Sequence, residues 1–68
     1  MQVVINGQPQ DVEPGLTIEL LVASVHPTPD GRGVAVALDG EVVPRGAWEA
    51  TALGDGARVE IVAAVQGG

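Results

Sequence analysis

Cysteine is absent from the 68 residues, and lysine, tyrosine and phenylalanine are absent too. Without cysteine there is no disulfide framework, no thiolate nucleophile and no thiolate metal site. Small exported domains commonly need such staples, so a reducing, cytoplasmic setting is expected. The opening Met1-Gln2-Val3-Val4 has no basic stretch leading into a long apolar run, so no signal peptide is expected. Every apolar run is far shorter than the roughly 20 residues of a membrane span. The last residues carry no cysteine for a lipid anchor. The single histidine, His26, has no second histidine or cysteine beside it, which speaks against a metal site. No nucleophile pairs with a base and no loop is built to cradle phosphate, so an enzyme is the weakest reading.

The charge that is present is acidic. Nine Asp and Glu stand against three arginines, a formal charge of −6. Phosphate backbones and anionic membranes repel such a surface, whereas a basic protein partner meets it faster. The length sets a second bound. A chain of this size is one domain that buries only roughly 60% of the surface it exposes when unfolded. Its stability is expected to be about 3–5 kcal/mol, and it has no room for a deep cleft between two layers.

Taken in order, residues 2–5 form a β-favouring run closed by Asn6-Gly7, a dipeptide suited to a two-residue hairpin turn. Residues 8–13 are the returning strand, and Pro9, lacking an N–H, puts it at a sheet edge. Val3 and Ile5 are expected in the core with Val12 across from them. Pro14-Gly15 breaks the chain before a helix. Thr17 is the expected N-cap, Glu19 suits the positive end of the helix dipole, and Leu16 with Leu21 has the spacing of a hydrophobic staple. Ile18, Leu21, Val22 and Val25 recur at helical spacing as a core stripe. Residues 26–33, with two prolines and two glycines, form a loop.

Val34, Val36 and Leu38 face inward on a strand whose other face carries Ala35 and Ala37. Asp39-Gly40 turns the chain into a short strand that stops at Pro44. Trp48, the sole aromatic residue, is either a cover over the core or an exposed contact. Gly54-Asp55-Gly56 precedes a last strand over residues 58–65. Val59, Ile61 and Ala63 point in, against Arg58, Glu60, Val62 and Ala64. The outward set begins charged and ends apolar. Val62, Ala64 and Val65 are therefore either buried on a second face or form a patch that meets a partner. Two hairpins separated by one helix give an α+β fold. One helix lies across a mixed sheet of four to five strands, with the first and last strands side by side at its centre. The domain is expected to span residues 1–64 and a flexible tail residues 65–68.

The printed sequence ends Gly67-Gly68. With 10 glycines in 68 residues, such a pair arises at a given place by chance about 2% of the time. A diglycine has no side chain to act with, and it passes where other residues do not.

The element order, the length and this ending resemble the ubiquitin-like β-grasp sulfur carriers, and more narrowly the ThiS family of thiamine biosynthesis. The resemblance covers essentially the whole chain. It is carried by Asn6-Gly7, Leu16-Thr17-Ile18-Glu19-Leu20-Leu21 and Gly54-Asp55-Gly56, and most specifically by Val43-Pro44-Arg45 followed by Trp48. Gln66 departs from it, standing where a small or apolar residue is expected.

The resemblance implies a carrier, not an enzyme, with no cofactor of its own. A ubiquitin-activating-like adenylyltransferase would use ATP to adenylate the Gly68 carboxylate, with Gly67 and Gln66 threaded through its channel. A sulfur donor such as a cysteine desulfurase would supply the sulfur, and thiazole synthase would receive it from a thiocarboxylate. Three alternatives stay open. One is the same chemistry in another pathway, as in the small subunit of molybdopterin synthase or in cysteine biosynthesis. Another is a ubiquitin-like protein modifier, and the third is a β-grasp interaction module whose glycine end is inert.

Overall fold

The computed structural model describes residues 1–26 and 32–63. Strands β1 (Gln2–Ile5) and β2 (Gln8–Asp11) precede helix α1 (Ile18–Val25). Strands β3 (Val34–Leu38), β4 (Glu41–Val43) and β5 (Arg58–Ala63) follow, with a 3-10 turn at Arg45–Ala47 between the last two. The sheet order is β2-β1-β5-β3-β4. β1 and β5 pair in parallel, and the other neighbours are antiparallel. The chain is thus an α+β, ubiquitin-like β-grasp fold with five strands, and its first and last strands are adjacent as expected.

The turns form for the reasons their sequences indicate. Asn6 (φ 50°) and Gly7 (φ 82°), like Asp39 (φ 49°) and Gly40 (φ 89°), take the left-handed conformations that a two-residue hairpin turn requires. Pro9 sits on edge strand β2, where its missing N–H costs no ladder bond. That strand closes at Asp11, short of residue 13, because Pro14-Gly15 turns the chain away. Val12 is not across from Val3 and Ile5. Its N–H donates to the Met1 carbonyl at 2.8 Å, while Val3 pairs with Gln10 and Ile5 with Gln8. It still packs, partly buried, against the core.

Helix α1 needs partners for its first N–H groups. The Thr17 side chain accepts from Leu20 N (3.3 Å), while Ile18 N and Glu19 N donate to the Thr51 and Trp48 carbonyls at 3.0 and 3.3 Å. The connection between β4 and β5 therefore caps the helix along with Thr17. Ile18, Leu21 and Val22 are buried, but Val25 is 49% exposed, against expectation. It lies in the last turn, beyond the core cluster. Helical spacing tells which side of a helix points inward, not how far the sheet beneath it extends.

The core joins Val3, Ile5, Val36 and Val59 from the sheet to the helix and to Trp48, Leu53 and Ala57 from the connection. Trp48 is a cover, 4% exposed, and its indole N–H donates to the Val43 carbonyl at 2.9 Å. Among the described residues no buried side-chain polar atom lacks a partner. No helix among them is long and apolar enough to cross a membrane.

Candidate functional site

The expected patch centres on β5. Side chains alternate along it: Val59 is 1% exposed, while Arg58, Glu60 and Val62 face solvent. The register then decides their neighbours, because directly paired residues share a face of the sheet. Val62 pairs with Ala35 of β3, and Glu60 with Ala37, which on its other side pairs with Val42 of β4. Val62 is 61% exposed and Val42 75%. Ala35, Ala37, Val42 and Val62 thus make a shallow apolar strip on the side of the sheet away from the helix. On β5, Glu60 borders the strip level with Ala37 and Val42, and Arg58 lies beyond it, away from Ala63. The two alanines keep its middle low, so a flat apolar surface is presented rather than a cleft.

Of the residues singled out in the sequence, Val62 is on this face. Ala64, Val65, Gln66, Gly67 and Gly68 lie outside the described residues, as does most of the predicted 26–33 loop (27–31). Val42 was not singled out. The signal for it was present: the Asp39-Gly40 turn fixes the hairpin register, which puts Val42 opposite an alanine of the outward face.

Both hairpin turns also hold β5. On one side the Asp39 carboxylate accepts from Arg58 N at 3.0 Å, and Asp39 N donates to the Arg58 carbonyl at 2.8 Å. On the other side Asn6 grips Ile61: its Oδ1 accepts from Ile61 N at 2.7 Å, and its Nδ2 donates to the Ile61 carbonyl at 3.2 Å. A depression lined by Val4, Gly7, Asp39, Gly40, Arg58, Val59 and Glu60 lies between the turns, at the end of β5 remote from Ala63. Among the described residues no three His, Cys, Asp or Glu side chains are grouped to hold a metal ion.

The crystal structure of the thiamine biosynthesis protein ThiS from Geobacter metallireducens superposes with a TM-score of 0.81 at 33% identity, covering 100% of both chains. The solution NMR structure of a thiamine biosynthesis protein from the same organism matches equally well, covering 100% of this chain and 88% of that one. A thiazole synthase from Paramagnetospirillum magneticum is 37% identical over 68 residues, and the chain spans 20% of that curated relative's length. The ThiS family model matches residues 3–68. Sequence, fold and extent of the match agree, and the chain belongs to the ThiS family.

Proposed function

We propose that the chain is a sulfur carrier of thiamine biosynthesis, acted on by enzymes rather than acting as one. Its reactive group in this reading is the carboxylate of Gly68. The observation that carries the proposal is the end of β5: the central strand reaches Ala63 beside an apolar strip. Five further residues reach at most about 17 Å when extended. That is enough for a partner docked on the strip to receive Gly68 in its own active site. Membership in the ThiS family supports the pathway.

A carboxylate is a poor acyl donor. An oxygen of Gly68 attacks the α-phosphorus of ATP in an adenylyltransferase of the ubiquitin-activating type, and pyrophosphate leaves. The terminal sulfur of a persulfide, charged by a donor such as a cysteine desulfurase, attacks the acyl carbon and expels AMP. A thiol then cleaves the resulting acyl disulfide and is itself oxidised to a disulfide, which leaves a thiocarboxylate. Gly67 and Gln66 thread the partner's channel, where a larger side chain at Gly67 would collide. Val62, with Ala64 and Val65, belongs to the docking surface. The thiocarboxylate sulfur passes to thiazole synthase, a partner supported by the likeness to a fifth of one such enzyme.

The test is intact mass after incubation with ATP, an adenylyltransferase of this type and a persulfide donor. A gain of about 16 Da, sulfur replacing oxygen, located at Gly68 by fragmentation, is the expected result. A mass that stays constant with active partners overturns the proposal.

A further inference from the structure

We propose that Asn6 is a positioning residue for this chemistry: its side chain fixes the path by which β5 leaves the sheet. The inference rests on the carrier reading above and deepens it. The starting point is an interrupted ladder. Val4 N donates to the Ala57 carbonyl and Asn6 N to the Val59 carbonyl, both at 2.8 Å, stepping two residues along each strand. The next rung falls at Ile61. By then β1 has ended, because Asn6 adopts φ 50° and the chain turns back into β2. The side chain of Asn6 supplies what the turned backbone does not. Its carboxamide presents an acceptor oxygen and a donor N–H side by side, and Ile61 uses both.

This rung is the last that β1 or its turn gives to β5. On the opposite side the last antiparallel pair among the described residues is Val34 with Ala63. Asn6 therefore holds the outgoing strand on one flank two residues before Ala63, while β3 holds it on the other. A chain clamped on both flanks leaves the sheet in one direction, and a chain clamped on one swings about its remaining neighbour. The carboxylate of Gly68 must meet the α-phosphorus in line, and misplacing reacting groups by about 1 Å can cost 100-fold in rate. Asparagine meets both demands of the position. It tolerates the left-handed conformation, and unlike glycine it carries the two hydrogen-bonding groups.

The experiment compares wild type, Asn6→Gly and Asn6→Asp. Glycine keeps the turn and removes the clamp; aspartate keeps the acceptor for Ile61 N and loses the donor. Pyrophosphate release is measured with the adenylyltransferase over a range of carrier concentrations, alongside Tm and amide hydrogen exchange at Ile61. Asn6→Gly is expected to speed Ile61 exchange and to lower kcat on the order of ten-fold, with KM within about two-fold because the docking strip is untouched. Asn6→Asp should fall between glycine and wild type. An Asn6→Gly carrier with wild-type kcat overturns the assignment, and so does a loss of kcat that follows Tm equally in both variants. A wild-type carrier that releases no pyrophosphate overturns the carrier reading itself, and the positioning role with it.

Discussion

The two faces of the sheet use the same residue for opposite purposes. On the helix side Val3, Val36 and Val59 are each 1% exposed and form the centre of the core. On the other side Val42 and Val62 are left largely in solvent. β-Branched side chains suit a strand equally on either face, so propensity does not explain the difference. Burial explains the inner valines, because each removes a whole side chain from water. The outer ones gain nothing from folding that a threonine would not supply. A chain with a formal charge of −6 has ample polar residues for that face, yet its outward positions near Ala63 are apolar. The inner face is shaped by stability, and the outer face fits the docking role proposed above.

The sharpest way to break this contrast is to put one charge on each face. Val59→Asp buries an unpaired carboxylate at the centre of the core, a loss of more than about 4 kcal/mol. That matches or exceeds the whole stability of a domain this size, about 3–5 kcal/mol. Circular dichroism should find no cooperative thermal transition, and a folded Val59→Asp protein would refute the division. Trp48→Phe tests the inner face more gently. It leaves the Val43 carbonyl without its indole partner at a cost of about 1–3 kcal/mol, read as a lower urea midpoint with unchanged slope. Val62→Asp is the mildest for stability, about 1 kcal/mol or less. It should nonetheless raise KM for the adenylyltransferase while leaving kcat near wild type. An equal loss of stability at Val59 and Val62 would dissolve the distinction.

Much of the fold was legible because its signals are local. Asn6-Gly7 and Asp39-Gly40 announce their turns, Pro9 marks an edge, and alternation along β3 and β5 separates in from out. Thr17 and the leucines after it place the helix start. What escaped is non-local. Leu53 and Ala57 are buried from an irregular stretch with no period to betray them, and Leu53 N reaches the Leu16 carbonyl at 2.8 Å across the fold. Val12 slipped because its partner is set by register, not by its own hydrophobicity. In the site, alternation left Val62 between a second core and an open patch, and only its 61% exposure in the folded chain decides it. The grip of Asn6 on Ile61 spans 55 positions in the chain, a distance over which residue patterns carry no information.

The last strand among the described residues is the one that sits in the middle. As the polypeptide emerges from the ribosome, β1, β2, α1, β3 and β4 appear with a gap where β5 belongs, because β1 and β3 each pair with it and not with each other. Closing that gap joins partners more than fifty residues apart, a slow and late event in folding. A copy truncated before β5 would have no completed sheet, because β1 and β3 would each lose the strand that joins them.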